Sequence, residues 1–401
     1  MTKQQDSPIF MSKLECPVCG TKFEVETIKV GAYNEEGRDT DFRPKKRKWL
    51  NPDFQKYNPL LFFMSVCPNC YFTKEFTSKY KDWKSDTVFK NYRQKNLKEK
   101  HLKELKNDEG VIKTLARNLD ADKYPFQTAV LKILLGIYDE QFNLQYSNLD
   151  IGRYFLRIAW LFRENSQSDK SGEGQLASHA MKIEDIILRL SGYFEQIRED
   201  KKALAVSSAE FIKDPLFPEG DKKRELSECY NDALSDLDET VEKYKSAVVK
   251  LKGSISSSSE IVGVNAESMA PLEQPFNGRT SFREYLRELK KIWPEAPTSE
   301  HEAMNSAAEY YKLAYEEGKE ISAGNQAIQA VYLIAELSRR VGKNKEARGY
   351  FNTSIKLAQE YIHANKGDRS RTALARKILE LALEQGKLNL KTLEQKKNVS
   401  A

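Results

Sequence analysis

The sequence predicts a mainly α protein: a small β-rich four-cysteine module followed by tetratricopeptide-like α-helical repeats, that is, an α-solenoid. Three observations predict it. Cys16-Pro17-Val18-Cys19 and Cys67-Pro68-Asn69-Cys70 are matched pairs with metal-ligand spacing. Beyond residue 77 the apolar residues recur at intervals of three and four, as on one face of a helix. Near the C-terminus, Ala307, Tyr311 and Ala314 are echoed by Ala347, Phe351 and Ser354 at the same spacing.

The cysteines come first. Zinc favours four tetrahedral ligands, and thiolates suit it. Two intervening residues let each pair turn tightly and aim both sulfurs at one ion. Pro17 and Pro68 pre-set φ for those turns. Gly20 follows the first pair, where a left-handed backbone is easiest for glycine. Tyr71 takes the corresponding place after the second pair, so that turn is expected to be less regular or strained. An iron centre is chemically allowed by the same ligands. Disulfides are disfavoured for a chain expected in a reducing compartment. An open catalytic zinc is disfavoured because four cysteines leave no position for water. The expectation is a structural Zn(2+) held by Cys16, Cys19, Cys67 and Cys70. The fifth cysteine, Cys229, lies in a helical stretch and reads as a buried or half-buried small residue.

With 401 residues the chain is long enough for two or three domains and a sizeable core. Its net charge of +6 is mild and does not by itself imply nucleic acid. Met1 to Leu14 lacks the apolar core of a signal peptide. No run approaches the ~18 apolar residues of a membrane span. The expected address is the cytoplasm, with no membrane partner.

The organisation expected is a zinc-binding head over residues 1–76, a helical tetratricopeptide-like domain over 77–252, a flexible linker over 253–279 and C-terminal tetratricopeptide-like repeats over 280–401. In the head, residues 21–33 read as a short strand, Asn34 to Arg38 as a loop, and Leu60 to Val66 as a buried strand paired with Tyr71 to Phe76. Arg43 to Lys48 is a basic run. Residues 77–106, lysine-rich with Tyr80, Trp83, Phe89 and Tyr92 interleaved, read as a linking helix whose aromatics pack on the head. Helices follow over Val111–Asn143, Asp150–Glu164 and Leu176–Arg198, the last continued or followed by another over Lys201–Lys213, with a break at Pro215 and Pro218. Lys222 to Lys252 carries a heptad seam through Tyr230, Leu234, Leu237, Val241, Tyr244, Val248 and Leu251. That seam fits a homodimer through residues 230–251 or docking on the chain's own helices. Ser254 to Ser259 marks the linker. Ser281 to Trp293 is a short amphipathic helix, and Gly342 sits where a repeat turns between its helices.

The order Cys-Pro-x-Cys, Arg38-Asp39-Thr40-Asp41, a hydrophobic stretch entering Val66-Cys67-Pro68-Asn69-Cys70, and then Leu156-Arg157-Ile158-Ala159-Trp160-Leu161-Phe162-Arg163 resembles a bacterial domain-of-unknown-function family with a double-cysteine head and tetratricopeptide-like helices. The resemblance covers about residues 12–200. The family pattern usually has glycine after the fourth cysteine, where this chain has Tyr71. The family supplies no activity to carry over.

Three functions are then in competition. The first is a non-enzymatic, zinc-binding adaptor whose helical surface takes a protein or peptide partner. The second is nucleic-acid binding through the head and its basic flanks, Arg43 to Lys48 and Lys79 to Lys103. The third is an enzyme with a site near Asp39 and Asp41. For that pair, loop-fixing hydrogen bonds and ion pairs are the plainer reading. No metalloprotease helix, phosphate loop, nucleophile elbow or dinucleotide fingerprint is legible.

Overall fold

The computed structural model describes residues 7–55, 57–167, 172–213, 220–262, 272 and 274–399. It divides into two units, residues 1–165 with 271–401, and residues 166–270.

The first unit begins with three β-hairpins. Strand β1 (Ile9–Glu15) pairs antiparallel with β2 (Lys22–Ile28), β3 (Tyr33–Arg38) with β4 (Pro44–Trp49), and β5 (Met64–Val66) with β6 (Thr73–Glu75). The loop expected at Asn34 to Arg38 is therefore a strand. Its reason lies across the ladder: Glu35 stands opposite Arg47 and Glu36 opposite Lys46, so each strand supplies the countercharge the other needs. The expected strand from Leu60 to Val66 is shorter than predicted. Asn58 accepts a hydrogen bond from Leu60 N–H at 2.9 Å, and Pro59 opens a 3-10 turn over Pro59–Phe62 before β5 starts.

Residues 77–106 are a broken path rather than one helix. Helix α1 (Ser78–Lys81), a 3-10 turn (Trp83–Ser85) and a π turn (Phe89–Arg93) precede α2 (Gln94–Leu105). Asp86 accepts from Phe89 N–H at 2.9 Å and restarts the chain there. Tyr80, Trp83 and Phe89 pack on the head as expected, while Tyr92 is exposed: Trp83 Nε1–H donates to Glu15 O at 2.8 Å, and Tyr80 lies edge-on to Phe72. Helices α3 (Val111–Ala116), α4 (Pro125–Glu140) and α5 (Asn148–Gln167) complete the first run.

After the second unit come α8 (Phe282–Ile292), α9 (Glu300–Glu316), α10 (Asn325–Arg340), α11 (Asn344–Ala364) and α12 (Arg369–Val399). Serine N-caps open α8 and α9: Ser281 accepts from Glu284 N–H and Ser299 from Glu302 N–H. Gly342, at φ +85°, makes the turn between α10 and α11. Ala307, Ala314, Ala335, Ala347 and Phe351 are all buried. The main core joins Trp49, Leu60 and Met64 of the head to α3, α4, α5, α8 and α9, while α10, α11 and α12 share a second cluster.

The second unit holds α6 (Gly172–Lys213) and α7 (Asp221–Val262), each 42 residues long and packed on one another. The break expected at Pro215 and Pro218 lies outside the described residues. Phe194 meets Tyr244 at 6.0 Å and Lys201 pairs with Asp238, so the helices run antiparallel. Of the seam read from Tyr230 to Val248, Tyr230, Leu234, Leu237, Val241 and Val248 are half-buried and Tyr244 is exposed, while on α6 Ile187 and Phe194 are buried, the latter against Tyr244. Of the two expectations for residues 230–251, docking on the chain's own helices is met by α6.

The linker expected over 253–279 is largely something else. Helix α7 continues through the serines to Val262, since extending a long helix is cheap once nucleated and serine costs only a few tenths of a kcal/mol. At the other end Phe276 is fully buried, with its ring 4.9 Å from Phe282 and 4.8 Å from Tyr124. Residues 263–271 lie outside the described set. Cys229 is exposed on α7, not buried as expected, because the seam that covers part of α7 runs along another face. Among the described residues no helix is long and apolar enough to cross a membrane.

Candidate metal centre

Each cysteine pair closes a hairpin: residues 16–21 join β1 to β2, and residues 67–72 join β5 to β6. The two turns carry the same bonds. Cys16 N–H donates to Thr21 O and Gly20 N–H to Cys16 O, both at 2.9 Å. Cys67 N–H donates to Phe72 O and Tyr71 N–H to Cys67 O, both again at 2.9 Å. The amides of Val18 and Cys19 donate to the Cys16 sulfur, and those of Asn69 and Cys70 to the Cys67 sulfur. The second turn is therefore as regular as the first. It is strained all the same, because Tyr71 adopts φ +63° where Gly20 has φ +76°.

The turns face one another. Cys16 Sγ lies 3.5 Å from Cys70 Sγ, Cys19 Sγ lies 3.6 Å from Cys67 Sγ, and all four sulfurs fall within 4.8 Å. None is in a disulfide. A tetrahedral ion with metal–sulfur bonds of ~2.3 Å requires sulfur–sulfur edges of ~3.8 Å, so the set fits a single ion. Four thiols this close cannot all ionise unaided. Hydrogen bonding to Cys67 pushes the Cys16 thiol up to about 12, hydrogen bonding to Cys16 pushes Cys70 up, and Cys67 is drawn far below the ordinary thiol range. A divalent cation supplies the charge that lets all four be thiolates. Leu14, Val18, Phe72, Tyr80 and Leu97 surround the sulfurs with a small dry core.

Two buried residues that the sequence did not single out steady the second turn. His101 of α2 sits between Cys70 O, 2.8 Å from Nε2, and Asp139 Oδ1 of α4, 2.7 Å from Nδ1. Asp139 Oδ2 accepts from Thr73 N–H at 2.6 Å. Burial opposes a charge on either group. The adjacent carboxylate nevertheless raises the His101 pKa above its ordinary value, and desolvation raises that of Asp139. The signal available in the sequence was only that histidine is scarce, four in the chain.

Asp39 and Asp41 lie in the β3–β4 turn, away from the sulfurs, and their oxygens are occupied by cations. Arg163 of α5 donates to Asp39 Oδ2 at 3.0 Å and lies 2.9 Å from Asp41 Oδ2, while also reaching Glu300 at 2.6 Å. Arg340 of α10 donates to Asp39 Oδ1 at 3.0 Å and to Glu336. Tyr332 O–H donates to Thr40 O at 2.9 Å. The turn is thereby pinned to α5, α9 and α10, which matches the ion-pair reading of the aspartates. The only group of metal-ligating side chains gathered among the described residues is the cysteine set. The basic run is also partly spent. Arg43 is buried, and Arg47 pairs with Glu35 and Glu164, which leaves Lys45, Lys46 and Lys48 exposed.

The comparisons with known proteins agree with this anatomy. The chain matches the family described as an uncharacterized protein conserved in bacteria, DUF2225, over residues 9–243 and 193–384. An uncharacterized protein of Borreliella burgdorferi is 31% identical over 88 residues, which is 21% of this chain and 32% of that relative's length. No solved structure matches. With the match spanning the cysteine head, the aspartate turn and nearly all of the helical body, the chain belongs to the bacterial family DUF2225.

Proposed function

We propose that the protein is a non-catalytic interaction scaffold whose head is held by a structural zinc on Cys16, Cys19, Cys67 and Cys70. Zinc is the ion of choice for a closed tetrahedron of thiolates in which no position remains for water. The observation that carries the interaction reading is the apolar surface left on the α6–α7 hairpin. Ile186 and Tyr193, one heptad apart on α6, and Tyr244 and Val249 on α7 are all exposed. The antiparallel register that sets Phe194 against Tyr244 puts these four at the same level of the hairpin. The exposed heptad pair on α6, with Tyr244 and Val249 exposed on different faces of α7 at the same level, offers apolar surface to the face of a partner helix.

The test is affinity capture with the full chain, with and without nuclease, alongside a Tyr193→Ser/Val249→Ser variant. The expected result is a defined protein retained after nuclease by the wild type and lost from the variant, with helical content and metal content unchanged. Equal retention by the variant, or loss of all retained protein after nuclease, contradicts the reading. The second outcome would favour the nucleic-acid reading through the exposed lysines of β4 and of residues 79–103.

A further inference from the structure

A cavity of about 480 Å³ opens within the first unit, between the hairpins of the head and α5. Its walls are strongly aromatic: Tyr33, Phe42, Phe62, Phe63, Phe76 and Trp160 all face it. Its charged lining is Arg38, Arg47 and Arg157, with Glu35 as the single carboxylate. Arg47 already holds Glu35 at 3.3 Å and Glu164 at 2.7 Å. Two positive charges therefore remain on the lining.

Arg157 is the more telling of the two. It keeps part of its surface open to the cavity, yet burial and the neighbouring Arg153 hold its pKa below the ordinary guanidinium value. Among the described residues no carboxylate lies within ion-pairing distance of it. Glu75 of β6, whose charge reaches Arg157, is paired with Arg153 at 3.1 Å. Arg157 donates once, to Arg153 O, and lies 4.3 Å over the Phe63 ring. A desolvated guanidinium without a counter-anion is costly to keep, and its remaining donors form a planar fork suited to phosphate or carboxylate. One turn on, Trp160 has a buried indole N–H with no acceptor. Arg38, exposed at the edge of the cavity, likewise has no carboxylate within ion-pairing distance among the described residues. Guanidinium donors free of carboxylates beside aromatic walls fit a ligand that brings acceptors at one end and a flat ring at the other.

We infer that this cavity is a binding site for a small aromatic anion, a planar ring bearing a phosphate or carboxylate, with Arg157 and Arg38 on the anionic group and the aromatic side chains on the ring. The site is independent of the cysteines and of the α6–α7 hairpin. The test is isothermal titration of the zinc-loaded full chain with three probes: adenosine 5′-monophosphate for a nucleotide source, 4-hydroxybenzoate for an aryl carboxylate, and inorganic phosphate for the anion alone. One of the two aromatic probes is expected to bind at least tenfold more tightly than inorganic phosphate. Arg157→Gln should weaken that binding at least tenfold. Arg38→Ala, which disturbs no ion pair and leaves the fold intact, should weaken it several-fold. Binding to neither aromatic probe, or binding unchanged in Arg38→Ala and in a folded Arg157→Gln protein, would overturn the assignment.

Discussion

Tyr71 is held in a left-handed conformation by the hydrogen bonds of a turn that elsewhere in the same centre uses glycine. A side chain there costs about 1–2 kcal/mol. What offsets it is the packing of the half-buried ring against the main core. The two contributions separate in a pair of variants. Tyr71→Ala loses the ring and keeps the strain, whereas Tyr71→Gly loses the ring and relieves the strain. Tyr71→Gly is expected to be more stable than Tyr71→Ala by about 1 kcal/mol in urea unfolding of the metal-loaded protein, and equal stabilities would show that the turn stores no strain. At this scale much was legible. The cysteine spacing named the four sulfurs, and the Gly20–Tyr71 mismatch located the strained residue. His101 and Asp139 were not legible, because only the folded chain brings α2 and α4 to the carbonyl of Cys70.

Among elements, the head is fastened to the helices at two points. The first is His101 with Asp139. Removing one member of a buried pair leaves the other uncompensated, at about 3–5 kcal/mol. His101→Ala should therefore destabilise by roughly that amount, and adding Asp139→Asn should recover part of it, a coupling of about 1–3 kcal/mol in a double-mutant cycle. Strictly additive effects would remove the pair from its fastening role. The second point is the β3–β4 turn on Arg163 and Arg340. Burial works against the Asp39 carboxylate, but Arg340, the Thr40 amide and Arg163 outweigh it and hold its pKa below the ordinary value of 3.8. A carboxyl group depressed in the folded state contributes stability above its unfolded pKa and loses it as pH falls through the folded value. The stability gap between wild type and Asp39→Asn should be constant from pH 7 to about 5 and shrink below about 4. Both proteins share the cysteines, so acid effects on the metal centre cancel in that difference. A gap independent of pH would contradict the clamp. The helices were largely readable from periodicity and capping. Strand β3 was not, since Glu35 and Glu36 become strand residues only opposite Arg47 and Lys46. The end of α7 was misread because five serines look like a linker until they are seen to continue a helix already formed.

For the whole molecule, the question is what makes the head a folded body. A two-stranded hairpin is marginal in water by itself, and the apolar cluster around the sulfurs is small. A structural zinc contributes on the order of 10 kcal/mol of apparent binding free energy, far more than either hairpin can supply. An ion that bridges residues 16–19 to residues 67–70 would convert two marginal hairpins into one unit. Cys67→Ser is expected to lose the metal and the ordered environment of Trp83, with most of the far-ultraviolet helical signal retained, because the helices pack in two clusters that do not contain the sulfurs. The measurement that bears most directly on the centre is zinc-edge X-ray absorption of the purified full chain. One zinc per chain with four sulfur neighbours at ~2.3 Å is the predicted result. Nitrogen or oxygen in the first coordination sphere, or a chain that folds fully with no bound metal, would contradict it.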